Sequence, residues 1–178
     1  MKICIDPGHG GADSGAVGTQ PFRLMEKEFN LNLALLLEEE LEARGHWTIM
    51  TRRKDRSLSL PARANYSNRV SAELFVSIHA NAAGNSSVEG MEVYHFPGSD
   101  GGRNVATLVL EKMIAAFPEH KNRGVKEANF AVLRLTEMTA ILIETEFLTN
   151  PEQLQFLAGP ENQKNMASAI ADGIEGIV

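Results

Sequence analysis

Two histidines and two glutamates stand where metal chemistry could be built. His9 and His79 each follow a short apolar run. Glu26 begins a helical pattern, and Glu144 ends another apolar run. Neighbouring strand ends of one sheet lie at the same edge, so all four side chains could meet there. Two histidines and one carboxylate form a catalytic zinc set with a fourth position open for water, and the other glutamate would be the base.

Three of these residues also have a simpler structural explanation. His9 lies among glycines and would also serve as a solvent-exposed loop histidine. Glu26 begins a helix, where an acid complements the helix dipole. His79 would equally suit the edge of the core as a hydrogen-bonded histidine. The four residues are scattered and form no His-Glu-x-x-His motif, so their spacing alone leaves these alternatives open.

Strand-like and helix-like apolar patterns alternate along the chain and would position these residues. The predicted strands cover residues 3–5, 47–51, 74–78, 90–96, 129–135 and 139–144, and the predicted helices begin at residues 26, 60, 103, 151 and 162, with Asn150 as the N-cap of the fourth. This alternation predicts an α/β domain with helices on both faces of one sheet. The last two strands are separated by a tight turn and are predicted to pair as a hairpin. We therefore expect a twisted, mostly parallel but mixed sheet of about six strands.

Composition excludes several classes of function. The chain has 178 residues and a net charge of −6, which argues against nucleic-acid binding. The only cysteine, Cys4, lies within the first strand pattern and is predicted to be a buried structural thiol. No apolar stretch approaches the ~20 residues of a membrane span. The first residues run directly into a strand, so we expect synthesis in the cytoplasm without a signal peptide, or a module cut from a longer protein.

Seven short motifs span nearly the whole chain. They are Ile5-Asp6-Pro7-Gly8-His9-Gly10-Gly11, Glu26-Lys27, Thr51-Arg52, Leu74-Phe75-Val76-Ser77-Ile78-His79-Ala80-Asn81, Gly90-Met91-Glu92-Val93-Tyr94, Arg123-Gly124-Val125 and Leu142-Ile143-Glu144. In this order they resemble one known family, the zinc-dependent N-acetylmuramoyl-L-alanine amidases of the Amidase_3 type. Residues 1–178 are therefore predicted to form one zinc amidase catalytic domain. The resemblance implies that His9, Glu26 and His79 bind Zn²⁺ and that Glu144 is catalytic.

Two positions depart from the family pattern. Glu146 stands where the family usually has glycine, and Thr139 stands where it usually has proline. Side chains two apart on a strand share a face. If the strand continues past Glu144, Glu146 would lie near the metal; if the chain has turned, Glu146 would be a surface acid. Both alternatives stay open.

The resemblance implies a peptidoglycan hydrolase. Its reaction would be cleavage of the amide between the lactyl group of N-acetylmuramic acid and L-alanine by zinc-activated water. The alternatives are a zinc peptidase acting on stem peptides and an inactive wall-binding module. We expect a phage endolysin, which reaches the wall after holin-dependent release; a mother-cell lysin and a fragment of an exported autolysin are the alternatives. A longer gene product would add a C-terminal wall-binding domain.

Overall fold

Eight strands and six helices build the fold in a computed structural model, which describes residues 1–177. The strands are β1 (Lys2–Pro7), β2 (Val17–Gly18), β3 (Leu24–Met25), β4 (Trp47–Met50), β5 (Leu74–Asn81), β6 (Met91–His95), β7 (Asn122–Glu127) and β8 (Thr139–Phe147). The helices are α1 (Glu26–Ala43), α2 (Leu60–Arg69), α3 (Asp100–Ala116), α4 (Ala131–Arg134), α5 (Pro151–Ala158) and α6 (Pro160–Glu175).

Six of the strands form a mixed sheet in the order β4-β1-β5-β8-β6-β7. All neighbouring pairs are parallel except β6 and β8, which are antiparallel. The carboxyl ends of β1, β5 and β8 therefore lie at one edge, where α/β proteins place their sites. This architecture confirms the predicted α/β class and the mostly parallel, mixed sheet.

Helices cover both faces of the sheet, as predicted. The larger core lies between one face and α1, α3 and α6, and it includes Ile5, Val76 and Ile143. The smaller core lies on the other face, where Cys4, Phe75 and residues of α4 pack. Parallel strands buried on both sides read as continuous apolar runs, which is the pattern of β1 and β5. Within the described residues, no helix has the length and apolar character needed to cross a membrane.

The prediction for residues 129–135 was wrong. This segment contains the short helix α4, whose apolar residues cap the smaller core, and it forms no hairpin with β8. The antiparallel pair is β6 with β8 instead. Three strands were not predicted: the two-residue β2 and β3, and the edge strand β7. The sequence of β7, Asn-Arg-Gly-Val-Lys-Glu, lacks an apolar alternation because none of its residues is fully buried.

Candidate metal centre and active site

The loop after β1 presents His9 in a constrained conformation. His9 has a φ of 61°, in the left-handed region that non-glycine residues rarely adopt. Gly8 lies so close to His79 that a Cβ atom on it would be 2.2 Å from the imidazole Cε1. Gly10 has a φ of 131°, which only glycine adopts readily. The glycines predicted from the sequence to leave room near the main chain therefore bring the two histidines together.

Two buried arginines fix the carbonyl groups of this loop. Arg52 donates hydrogen bonds to the carbonyl oxygens of Pro7 and Gly8, both at 2.9 Å. Arg63 donates to Pro7 O at 2.7 Å and to His9 O at 2.6 Å. Hydrogen bonds from charged groups are stronger than neutral ones, so they can hold the strained backbone of His9 in place.

Glu26 is the first residue of α1 and connects the two histidines. Its Oε2 lies 3.1 Å from His9 Nε2, and its Oε1 lies 2.8 Å from His79 Nδ1. The backbone N–H groups of Ala16 and Ala80 donate to the same carboxylate at 2.8 and 3.2 Å. Glu26 is buried, and these contacts fix both of its oxygens. An acid that only complemented the helix dipole would not need them.

The structure brings His9, Glu26 and His79 into one cluster that could hold a metal ion. One ligand atom from each residue lies within 4.8 Å of the others. The rings of the two histidines are 5.0 Å apart and nearly perpendicular. Two imidazole nitrogens and a carboxylate oxygen match the three protein ligands of catalytic zinc sites. The donor set therefore fits such an ion.

The three groups perturb one another's pKa values. Burial alone would lower the pKa of His9, but hydrogen bonds and charge from Glu26 and Asp13 outweigh burial and raise it to about 9. Burial also opposes the shift at His79, whose pKa is raised chiefly by its hydrogen bond to Glu26. The two histidines hold the pKa of Glu26 well below its usual range, against the effect of burial. The carboxylate is thus ionised and ready to face a cation.

Asp13 is a functional candidate that the sequence reasoning missed. Its Oδ2 lies 2.8 Å from His9 Nδ1 and leaves Nε2 directed at Glu26. A carboxylate on the remote nitrogen of a metal-binding histidine sets its tautomer and ring orientation. The sequence signal for Asp13 was its position four residues after His9. Asp13 lies in a loop without periodicity, so this spacing matched no pattern.

Glu144 lies beside the cluster with one oxygen unpartnered. It pairs with His79 in the β5–β8 register, so both side chains share one face of the sheet. Among the described residues, its buried Oε2 has no hydrogen-bond partner. Burial raises the pKa of Glu144 to about 7, with further raising from the charges of Glu26 and Glu92 and lowering from His79. The sequence pattern had indicated that the strand ends at Glu144, but β8 continues to Phe147.

Glu146 fits neither of the two predicted alternatives. The strand does continue, but the β5–β8 register shifts after Glu144. Glu146 is fully buried and accepts a hydrogen bond from Gly90 N at 2.7 Å. Its Oε1 lies 3.0 Å from His120 Nδ1. Glu146 is therefore neither near the candidate metal ligands nor at the surface.

Thr139, the other departure from the family pattern, lies far along the strand from the site. It begins β8 and pairs with Leu74, whereas Glu144 pairs with His79. This position therefore does not contact the candidate ligands.

A cavity of about 500 Å³ opens beside the cluster. His9, His79 and Glu144 line its polar side. Apolar residues line the rest of it, among them Leu60 of α2, Phe130 before α4 and Leu142 of β8. A few polar groups converging in a mostly apolar cavity are typical of a substrate site.

Comparisons with known proteins agree with this geometry. The family model for N-acetylmuramoyl-L-alanine amidase, Amidase_3, matches residues 3–176. The N-acetylmuramoyl-L-alanine amidase LytC of Bacillus subtilis (strain 168) is 38% identical over 173 residues, which are 96% of this chain but only 34% of LytC. The chain belongs to the Amidase_3 family of N-acetylmuramoyl-L-alanine amidases, as the sequence motifs predicted.

Two solved amidase structures share the fold over their full length. The N-acetylmuramoyl-L-alanine amidase AmiC2 of Nostoc punctiforme has a TM-score of 0.93 at 39% identity, covering 99% of this chain and 96% of that chain. The catalytic domain of CwlV, an N-acetylmuramoyl-L-alanine amidase from Bacillus (Paenibacillus) polymyxa var. colistinus, has a TM-score of 0.91 at 35% identity. It covers 99% of this chain and 97% of that chain.

Proposed function

We propose that residues 1–178 form a zinc-dependent N-acetylmuramoyl-L-alanine amidase domain acting on peptidoglycan. The amide between the lactyl group of N-acetylmuramic acid and L-alanine would be its target. The observation that carries the proposal is the meeting of His9, Glu26 and His79 beside the unpartnered Glu144 in one cavity. Family membership supports the choice of amide.

The three clustered residues would hold the metal ion. Zinc suits two imidazoles and one carboxylate better than magnesium or calcium, which prefer oxygen ligands. When bound, zinc supplies Lewis-acid activation of water and of the scissile carbonyl group. Asp13 would keep Nε2 of His9 directed at the ion through the contact at Nδ1.

Glu144 would move the proton. A carboxylate with a pKa near neutrality can accept a proton from the attacking water and then donate it to the departing alanine nitrogen. The free Oε2 is available for this transfer because no described residue occupies it. The apolar side of the cavity would exclude bulk water around the reacting groups.

Digestion of purified muramoyl-peptides tests the proposal. The expected products are a free lactyl carboxylate on the sugar and a peptide with a new N-terminal alanine, identified by mass spectrometry. Cleavage within the peptide would support the zinc peptidase instead. No product from a zinc-loaded protein would support the inactive wall-binding module. Chelated protein is the matched control.

The biological setting stays a prediction. Holin-dependent release, an endolysin origin and a C-terminal wall-binding domain in a longer gene product are consistent with family membership. Expression inside bacterial cells, followed by a membrane-permeabilising agent, would test the first of these. We expect lysis only after permeabilisation; lysis without it would contradict the prediction.

A further inference from the structure

A row of polar side chains crosses the sheet from the candidate metal centre to the sheet edge. Glu144 is the register neighbour of His79 on one side and of Glu92 on the other. Tyr94, two residues after Glu92 on the same face, is the register neighbour of Lys126 on β7. Glu144 and Lys126 therefore lie on the same face of the sheet, and Glu92 and Tyr94 lie between them.

Two cations converge on Glu92 in this row. Arg123 Nε donates to Glu92 at 2.7 Å, and the ammonium group of Lys126 also contacts it. The hydroxyl of Tyr94 and the amide of Asn81 donate to the same carboxylate at 2.8 and 2.9 Å. Burial alone would raise the pKa of Glu92, but these donors outweigh burial and lower it. Glu92 is therefore ionised.

The charges in this cluster do not balance. The carboxylate of Glu92 contacts two cations, so these three groups together carry one positive charge, and the next carboxylate in the row, Glu144, has a pKa raised to about 7. The next residue, Glu127, does not neutralise the surplus because it contacts Arg103 at 3.6 Å. The two cations and two neutral donors fill the four acceptor positions of the Glu92 carboxylate, but one positive charge would already neutralise it, so the charge of the second cation is not required by Glu92 itself.

The two cations are partly exposed, and their neighbours contact residues that line the cavity. The side chains of Arg123 and Lys126 are 26% and 35% exposed. The ammonium group of Lys126 lies 5.8 Å above the ring of Tyr94. That ring packs edge to face against Phe130, which lines the cavity, with 5.1 Å between centroids. The cluster therefore lies next to two residues that line the cavity, Phe130 through Tyr94 and Glu144 through Glu92.

We propose that Arg123 and Lys126 bind a carboxylate of the substrate peptide, on the C-terminal side of the amide that is cleaved. This inference rests on the proposed function. Both cations contact the carboxylate of Glu92, whose strand is next to that of Glu144 at a spacing of ~4.8 Å, so the cations lie within the reach of about two extended residues from Glu144. The sugar cannot supply this anion, because its lactyl carboxyl group is consumed in the amide.

A pair of substrates that differ only in charge tests this assignment. One is a muramoyl-peptide with an acidic residue after alanine, and the other carries the same residue as its amide. We expect wild-type protein to prefer the acid by roughly tenfold in kcat/KM, mainly through KM, because charge-assisted hydrogen bonds are lost with the amide. In Lys126→Gln, and in Arg123→Gln, the preference should fall below about twofold.

Controls separate binding from structural support. Lys112→Gln removes the same charge from the exposed surface of α3 and should keep the tenfold preference. Arg123→Lys should retain part of the preference, because it keeps the charge but not the planar geometry. The assignment is overturned if wild type shows no preference, or if Lys126→Gln weakens the cleavage of both substrates equally.

The assignment can be tested even if the proposed reaction fails. Calorimetric titration of wild-type protein with the two product peptides, acid and amide, needs no turnover. About tenfold tighter binding of the acid, lost in Lys126→Gln, would support the carboxylate site even without cleavage. Equal binding of the two peptides would refute the site, whether or not the amide is cleaved.

Discussion

Glu144 and Glu146 lie two residues apart on one strand, yet their surroundings differ in almost every respect. Glu144 lines a cavity, pairs in register with His79 and leaves one oxygen without a partner. Glu146 is fully buried and both of its oxygens are occupied, by His120 and by the backbone of Gly90. The register shift between them is what separates their environments.

This difference shows how environment divides roles between identical side chains. A carboxylate with a raised pKa and a free oxygen can exchange protons with a substrate. A carboxylate whose oxygens are both occupied ties elements together, and Glu146 joins the start of β6 to the segment after α3. The contrast therefore supports the proposed proton transfer by Glu144 and a structural role for Glu146.

Removal of the metal should produce the largest effect, because the metal would activate the water from which Glu144 is proposed to take a proton. We expect chelation to abolish amide cleavage and zinc to restore it. His79→Ala should lose the metal, since a site with two ligands binds far more weakly. Elemental analysis together with the turnover assay checks both results. Full activity in verified metal-free protein would show that the reaction does not need a metal ion.

Glu144→Gln should lower kcat by roughly 100-fold or more, because the amide cannot accept the proton. KM should change little, because glutamine has the same shape as glutamate. Steady-state kinetics on muramoyl-peptide measures the split between the two constants. A rise in KM at unchanged kcat would show that Glu144 binds substrate rather than transferring protons.

Asp13→Asn should weaken metal affinity by about 10- to 100-fold without abolishing activity in excess zinc. The substitution replaces the carboxylate that faces His9 Nδ1 at 2.8 Å. Competition with a fluorescent chelator measures the affinity. An unchanged affinity would mean that Arg63 and the glycine loop orient His9 without help from Asp13.

Glu146→Gln should leave kcat near the wild-type value and lower the free energy of unfolding by about 1–3 kcal/mol. Glutamine has nearly the volume of glutamate, but the substitution removes the carboxylate that pairs with His120. Urea denaturation measures the loss. A collapse in kcat for a folded, metal-loaded variant would mean that the roles of the two carboxylates are reversed.

Cys4→Ser should have the smallest effect on the site. Cys4 is fully buried in β1, and burial raises the pKa of its thiol, so no thiolate is available for chemistry. Activity should persist, with a loss of about 1–3 kcal/mol in stability from the buried hydroxyl. Complete inactivation of a folded, metal-loaded variant would assign the thiol a role that the structure does not.

The sequence predicted the residues of the cluster better than the residues that hold them in position. His9 and His79 follow apolar strands, and the family motifs singled out Glu26 and Glu144, so all four positions could be named in advance. Of the two arginines that hold the His9 loop, Arg52 lay in a matching motif without a predicted role and Arg63 lay in none, because a buried arginine that binds carbonyl oxygens has no local pattern. Likewise β7 is an edge strand of polar residues, and only the folded sheet shows its pairing.

The surroundings of Glu146 lay beyond the sequence for a related reason. Its partner His120 comes from a segment 26 positions earlier, and the register shift that turns Glu146 away from the cavity depends on how β5 and β8 pair. Alternation along one strand predicts a shared face only while the pairing stays regular.

The most direct test of this contrast is the kcat of Glu144→Gln as a function of added zinc, measured with the metal content of the same preparation. We predict about one zinc per chain and a kcat that stays roughly 100-fold low at every zinc concentration, because the metal is in place and the base is missing. Glu146→Gln, titrated alongside, should turn over normally. Restoration of Glu144→Gln by excess zinc would contradict the account, since it would make Glu144 a support for the metal ligands rather than the base.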